Sequence, residues 1–153
     1  MRGEDMSKWE PRIILIACNW CTYQGADLAG SLRYAYPSTV NIVRVPCSGR
    51  FEPEFIATAL KEGADGVFVG GCHFGDCHYK EGNYKAIKRF GLLRRVLDEL
   101  GVEKQRVQLE WIAGSEGKRF SEAMNEFDAA IRAIGPSPYG DNGKGGATCQ
   151  NQK

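Results

Sequence analysis

Three short runs of apolar residues constrain the fold of this chain more than any other feature of its sequence. They are RIILIA at residues 12–17, NIVRV at residues 41–45 and GVFV at residues 66–69. Near-continuous aliphatic runs of this length are typical of strands that are buried on both faces, as in parallel sheets. A fourth run, VQLEWI at residues 107–112, alternates in polarity and therefore predicts a strand at the edge of the sheet.

Helical patterns lie between and after these runs. Apolar residues recur there at intervals of one helical turn: Leu28 and Leu32; Phe55, Ile56, Ala59 and Leu60; Ile87, Phe90, Leu93, Leu97 and Leu100; Phe120, Met124, Phe127, Ile131 and Ile134. Three of the patterns are followed by a glycine, the residue that most often ends a helix: Gly63, Gly101 and Gly135. Alternating strands and helices favour right-handed crossovers. We therefore predict a single α/β domain with a four-stranded parallel sheet flanked by helices, in the flavodoxin-like order 2-1-3-4.

The length of 153 residues suits one domain with its own hydrophobic core. Residues 1–11 are assigned to an N-terminal extension, residues 12–135 to the α/β domain and residues 136–153 to a polar, glycine-rich tail. The tail has too few apolar residues to bury a face of its own.

The formal net charge of +1 argues against a nucleic acid or an anionic membrane surface as the partner. No apolar run approaches the roughly 20 residues that a membrane-spanning helix needs. The first residues, MRGEDMSKWEPR, lack the apolar stretch of a signal peptide. We expect a cytoplasmic protein, and clustered cysteines in a reducing cytosol more often bind metal or carry out redox chemistry than form disulfides.

Five of the six cysteines follow the predicted strands directly: Cys18 and Cys21 the first, Cys47 the second, Cys72 and Cys77 the third. The carboxyl ends of parallel strands meet at one edge of the sheet, where open α/β folds build their sites. With the order 2-1-3 the three strands are neighbours, so we expect the five thiols to converge. Cys149 lies in the tail and is interpreted as an incidental thiol.

The spacing of the cysteines leaves three chemistries open. C-x₂-C at a helix start suits a dithiol oxidoreductase, and the same spacing is a common zinc half-site. C-x₂-C and C-x₄-C both occur in plant-type iron–sulfur proteins, whose clusters take four thiolates. Covalent haem is excluded because Thr22 follows Cys21, and no glycine pattern matches a nucleotide-binding loop. The candidates are therefore an iron–sulfur protein, a structural zinc-binding interaction domain and a cytosolic dithiol oxidoreductase.

The histidines, the carboxylates and the basic residues say less about function than the cysteines do. His73 and His78 each follow a cysteine, and neighbouring side chains in extended chain point to opposite sides, so we expect both outside the metal's ligands. No catalytic triad or spaced carboxylate pair is found, so we expect no independent substrate site. A basic stretch is either a docking surface or a solvated helix face: Lys80, Lys85, Lys88, Arg89, Arg94 and Arg95.

The motifs ACNWC, VPCSGR and GGCHFGDCHY, in this order, resemble those of the methyl-viologen-reducing hydrogenase delta subunit family, and the similarity covers roughly residues 12 to 134. The resemblance implies an electron-transfer subunit of an oxidoreductase complex, with a [2Fe–2S] cluster. It further implies that electrons pass from a hydrogenase or formate dehydrogenase to the flavin-containing subunit of heterodisulfide reductase, in methanogenesis. By this similarity Cys18, Cys21, Cys47, Cys72 and Cys77 match the family's motifs, and four of the five hold the cluster.

Overall fold

The computed structural model describes residues 9–140; Cys149, the tail beyond residue 140 and the first eight residues of the N-terminal extension lie outside the described residues. Strands and helices alternate along the chain: β1 (Ile13–Cys18), α1 (Thr22–Ser31), β2 (Val40–Val45), α2 (Pro53–Lys61), β3 (Gly66–Gly71), α3 (Gly82–Glu99), β4 (Val107–Trp111) and α4 (Gly117–Ile134). Two short 3₁₀ turns, Ser48–Arg50 and Lys104–Arg106, precede α2 and β4. No helix of this part of the chain is long and apolar enough to cross a membrane.

The four strands form one parallel sheet in the order β2-β1-β3-β4, which confirms the predicted fold and strand order. In β1, Ala17 is in register with Arg44 of β2 on one side and with Gly70 of β3 on the other. Every residue of the inner strand β3 is buried, whereas β4 is mostly half-buried and lies at an edge of the sheet, the position that its sequence pattern predicts.

Two hydrophobic layers cover the sheet because successive strand residues point to opposite faces. Phe68 of β3 packs with the buried residues of α1 and α4, and Val67 and Val69 pack with those of α2 and α3. On α4, the predicted stripe of Phe120, Met124, Phe127 and Ile131 is fully buried in the first layer. The two layers hold the carboxyl ends of β2, β1 and β3 side by side.

Parts of the predicted helix faces are wrong. Leu32, Phe55, Ile87 and Leu100 are exposed by 54%, 48%, 41% and 69% respectively. Helix α1 instead buries small residues against α4, and a Cβ at Gly25 would lie only 3.1 Å from the Ala113 carbonyl oxygen. Where a neighbouring element packs closely on a helix, small residues form the buried face of that helix. The spacing of large apolar residues then does not identify the buried face.

The glycines predicted to end helices do so. Gly63, Gly101 and Gly135 have φ angles of 102°, 76° and 83° and follow α2, α3 and α4. This left-handed region is readily accessible only to glycine, which lets the chain leave each helix and turn toward the next strand.

Candidate metal centre

Five cysteine side chains meet at the carboxyl edge of the sheet and form a buried cluster, which we call the sulfur group: Cys18, Cys21, Cys47, Cys72 and Cys77. Cys18 is the last residue of β1, Cys72 directly follows β3, and Cys47 lies two residues beyond β2. Because β2, β1 and β3 are adjacent, residues up to 59 positions apart in the chain become neighbours. No more than 8% of any of these side chains is exposed.

The sulfur–sulfur distances divide the group into two parts. Cys18 Sγ lies 3.7 Å from Cys72 Sγ, and Cys47 Sγ lies 3.8 Å from Cys77 Sγ. Two thiolates on one tetrahedral metal, each at about 2.3 Å, are about 3.8 Å apart. Cys21 Sγ lies 2.7 Å from Cys72 Sγ, which is longer than the disulfide bond length of about 2.05 Å. Cys18, Cys21 and Cys72 all have their sulfurs within 4.8 Å of one another.

Three chain segments direct helical N-termini at the sulfur group. Cys21 immediately precedes α1, Cys47 precedes the 3₁₀ turn, and α3 begins at Gly82 beside both Cys47 and Cys77. The amide of Gly49 donates a hydrogen bond to Cys47 Sγ at 3.4 Å. Backbone N–H groups and the positive end of a helix favour thiolate over thiol, and thiolate is the form that binds metal.

The thiols hold their protons unequally. Hydrogen bonds from Cys21 and Cys72 lower the pKa of Cys18 to about 2, and the hydrogen bond that Cys21 donates to Cys18 raises the pKa of Cys21 to about 12. The pKa of Cys72 is raised for the same reason, by its hydrogen bonds with Cys18 and Cys21. Burial raises the pKa of Cys47. For Cys77 burial acts in the same direction, but hydrogen bonds from backbone amides outweigh it and the pKa is lowered.

Glycine is required where the backbone closes on the sulfur group. A Cβ at Gly82 would overlap Cys47 Sγ and would lie 3.1 Å from Cys77 Sγ. At the end of β3, a Cβ at Gly70 would overlap the Thr22 side chain, and one at Gly71 would lie 2.6 Å from the Trp111 ring. Gly70 and Gly71 of the GGCHFGDCHY motif thus serve close packing, and Gly82 shapes the space beside two sulfurs.

Two buried polar residues near the cysteines were missed from the sequence. Asn83 is fully buried, and its amide donates hydrogen bonds to the carbonyl oxygens of Cys72 (3.2 Å) and His73 (3.0 Å), which holds the cysteine loop. Ser48 is also fully buried, and its hydroxyl is without a hydrogen-bond partner among the described residues. The available signal was position: Ser48 follows Cys47 in the VPCSGR motif, and Asn83 lies at the start of the helix after Cys77.

The two histidines have partners of other kinds. His73 Nε2 lies 3.0 Å from a carboxylate oxygen of Glu116. The ring of His78 stacks on Trp20 with a centroid distance of 4.1 Å and an interplanar angle of 14°. Both histidine rings thus contact side chains other than the five cysteines, and their place outside the metal's ligands stays a prediction.

Four exposed aromatic side chains lie close to the cysteines in the chain, and we call them the aromatic rim: Trp20, Phe74, Tyr79 and Tyr84. They are between 42% and 53% exposed and come from the loops after β1 and β3 and from the first turn of α3. Phe74 packs on Tyr84 at 5.0 Å and on Trp111 at 5.1 Å between ring centroids. Large aromatic residues at a surface are typical of protein–protein interfaces.

The basic stretch is partly structural. Arg89 donates hydrogen bonds to the carbonyl oxygens of Gly49 and Phe51, and Arg94 donates to those of Lys104 and Val107. These two guanidinium groups therefore tie α3 to neighbouring loops. The exposed cations that remain are Lys80, Lys85, Lys88 and Arg95.

The residues present fit a metal–sulfur group. All five potential ligand atoms are cysteine sulfurs, and soft thiolate ligands in tetrahedral arrangement select zinc or iron–sulfur clusters. The site is buried, its thiols are free, and the glycine at position 82 leaves room beside Cys47 and Cys77. Cys18, Cys21 and Cys72 form a three-sulfur group that could hold a metal ion, and Cys47 and Cys77 form a further pair at 3.8 Å.

Comparison with known proteins identifies the family. Residues 13–135 match the family model described as methyl-viologen-reducing hydrogenase, delta subunit. The chain is 71% identical over 132 residues to an F420-non-reducing hydrogenase iron-sulfur subunit of Archaeoglobus profundus, covering 86% of this chain and 96% of that protein. It is 58% identical over 134 residues to the corresponding iron-sulfur subunit of the vhc hydrogenase of Methanococcus voltae, covering 88% of this chain and 93% of that protein.

A different kind of relative shares the same domain. The chain is 46% identical over 126 residues to one subunit of the ferredoxin/F(420)H(2)-dependent CoB-CoM heterodisulfide reductase of Methanosarcina acetivorans, covering 82% of this chain but only 16% of that protein. These relatives are subunits of oxidoreductase complexes. Since the family model spans more than three-quarters of the chain, this protein belongs to the methyl-viologen-reducing hydrogenase delta subunit family.

Proposed function

We propose that this chain is an electron-transfer subunit that carries a [2Fe–2S] cluster on its sulfur group. It would receive electrons from a hydrogenase or a formate dehydrogenase and pass them to the flavin-containing subunit of heterodisulfide reductase in methanogenesis. The observation that carries the proposal is the pair of sulfur–sulfur distances, 3.7 Å for Cys18 with Cys72 and 3.8 Å for Cys47 with Cys77. Each matches two thiolates on one tetrahedral metal.

The same distances favour one division of the ligands. Cys18 and Cys72 would hold one iron and Cys47 and Cys77 the other, which supplies the four thiolates that a [2Fe–2S] cluster takes. Cys21, at 2.7 Å from Cys72, is closer to it than two ligands of one metal would be, so it is the fifth thiol. When bound, the cluster supplies reversible one-electron transfer.

The protein's own residues supply burial and a partner surface. The five cysteine side chains are buried, and the amides near Cys47 and Cys77 stabilise negative sulfur. The aromatic rim, next to these cysteines in the chain, offers exposed rings that a partner could cover.

The choice of heterodisulfide reductase as partner has a separate support. In the Methanosarcina acetivorans relative, a domain similar to this chain accounts for 16% of a much longer heterodisulfide reductase polypeptide. Two domains joined in one chain in one organism are good candidates for association as separate chains in another. We propose the aromatic rim as the contact surface, because electron transfer requires a short distance between the two redox groups.

Purification under anaerobic conditions tests the cofactor. The protein is expected to be brown, to contain two irons and two inorganic sulfides per chain, and to bleach on addition of dithionite with a one-electron paramagnetic signal. A colourless protein with about one zinc would instead make it a zinc-binding interaction domain. A colourless, metal-free protein that reversibly loses two thiols on oxidation would make it a dithiol oxidoreductase.

Binding to the purified flavin-containing subunit of heterodisulfide reductase tests the partner. Replacing Phe74 and Tyr84 together by serine is expected to weaken binding at least tenfold with the iron content unchanged. Leu32→Ser is the matched control, because Leu32 is 54% exposed but lies after α1, outside the rim. Equal binding by the rim variant, the control and the original protein would exclude this surface.

A further inference from the structure

We infer that the hydroxyl of Ser48 donates a hydrogen bond to a sulfur atom of the cluster and thereby raises its reduction potential. The inference rests on the proposed [2Fe–2S] cluster but concerns a residue that is no metal ligand. Its basis is an orphaned donor: Ser48 is 0% exposed, and its Oγ is without a hydrogen-bond partner within residues 9–140.

Ser48 lies beside residues of the sulfur group. It follows Cys47 in the chain, and its backbone amide donates a hydrogen bond that lowers the pKa of Cys18, on the neighbouring strand. Its Cβ is 3.0 Å from the position of a Cβ at Gly71, the residue directly before Cys72. Ser48 therefore adjoins Cys47 in the chain, contacts Cys18 through its backbone, and lies near the residue that precedes Cys72.

A buried hydroxyl that has left water without gaining an acceptor destabilises a protein, and native structures almost always supply an acceptor. The buried hydroxyl of Thr22 has acceptors, by contrast, since Thr22 Oγ1 donates to the carbonyl oxygens of Gly71 and Ile112 at 3.5 Å and 3.4 Å. The surroundings of Ser48 are rich in sulfur instead. A cluster bound there would bring negatively charged sulfur atoms, which accept hydrogen bonds more strongly than neutral thiols do.

The direction of the effect follows from charge. Reduction adds one electron to the cluster, so its sulfurs become more negative and a hydrogen bond to them becomes stronger. The Ser48 hydroxyl therefore stabilises the reduced cluster more than the oxidised one, and hydrogen bonds to sulfur are among the factors that set cluster potentials. Removal of the hydroxyl should make reduction harder.

Ser48→Ala tests the inference, because alanine keeps the Cβ and removes only the oxygen. The variant is expected to keep two irons per chain and the paramagnetic signal. Its potential is expected to fall by an amount equivalent to about a tenfold change in the equilibrium constant for reduction, about 59 mV for one electron. Ser121→Ala is the control, since the Ser121 hydroxyl is bonded to the Ala35 carbonyl oxygen on α4's side of the sheet. The control should leave the potential unchanged.

A spectroscopic readout separates a direct hydrogen bond from a change in packing. In the reduced original protein, exchange into D₂O should remove a proton hyperfine coupling, and Ser48→Ala should lack this coupling from the start. An unchanged potential together with an unchanged exchangeable coupling in Ser48→Ala would overturn the inference and leave the proposed function intact. If the original protein holds no iron, the proposed function itself fails.

Folding stability supplies a third measurement, because the effect of Ser48→Ala on stability should differ in sign between the cluster-free and the cluster-bound protein. Without the cluster, Ser48→Ala should be as stable as the original protein or more stable, because it removes an unsatisfied buried hydroxyl. With the cluster bound, it should be less stable, because it loses a hydrogen bond. A variant that is less stable in both forms would indicate a purely structural role for Ser48 and would contradict the inference.

Discussion

Gly82→Ala is expected to disrupt the sulfur group by adding a single methyl group. Gly82 begins α3, and a Cβ there would overlap Cys47 Sγ and would lie 3.1 Å from Cys77 Sγ, so neither sulfur can keep its place. The backbone nitrogen of Gly49 lies 3.4 Å from the same point, which limits movement of the helix start. The pair that is 3.8 Å apart would therefore be forced out of the geometry for one metal.

The size of the effect can be bounded. Overpacking by one methyl group in a filled site costs about 1–3 kcal/mol. A domain of this size loses about 2–4 °C in melting temperature per kcal/mol, so a decrease of about 2–12 °C is expected for the metal-free protein. The cluster should be affected more strongly, with iron content falling to half or less of that in the original protein.

Gly91→Ala is the matched control because it makes the same change in the same helix. A Cβ at Gly91 would meet no heavy atom within 4 Å among the described residues, and the position is exposed. Alanine in an exposed helix interior is more favourable than glycine by about 1 kcal/mol, so this variant should melt at a higher temperature and keep its iron. Thermal unfolding by circular dichroism and iron analysis measure both variants. Full iron content and an unchanged melting temperature in Gly82→Ala would refute the predicted overlap with Cys47 Sγ.

Three further predictions concern single residues. Cys47→Ala should abolish iron binding whereas Cys21→Ala should retain two irons per chain by metal analysis; equal losses would contradict the ligand division. Asn83→Ala should lower the unfolding free energy by about 1–3 kcal/mol in a denaturant titration, because two loop carbonyls lose their donor. The hydrogen bond from Arg106 lowers the pKa of Glu103 below its ordinary value of 4.5. The contribution of this carboxylate to the folding stability is therefore complete above about pH 4.5 and is lost as the pH falls through the pKa of the folded state. The stability difference between the original protein and Glu103→Gln should therefore shrink in acid, and a difference independent of pH would exclude this ion pair as its source.

The sequence determined the fold and the location of the site because the signals for both are local. Aliphatic runs at residues 12–17, 41–45 and 66–69 predict strands buried on both faces, and their alternation with helices leaves few topologies open. Cysteines that directly follow such strands must reach the same edge of a parallel sheet. The helix faces were predicted less well: Phe55 and Leu100 were assigned to buried faces but are exposed. Periodicity shows which residues are apolar, but it does not show which of them contact a neighbouring element.

Only the tertiary structure decided the arrangement inside the site. The approach of Gly82 to Cys47, the division of the sulfurs into two pairs and the orphaned Ser48 hydroxyl all involve residues brought together by folding. Their separations depend on how helices and loops pack over the sheet edge to within tenths of an ångström. Sequence spacing carries no information at that scale, because the same cysteine pattern is compatible with zinc, an iron–sulfur cluster or a free dithiol.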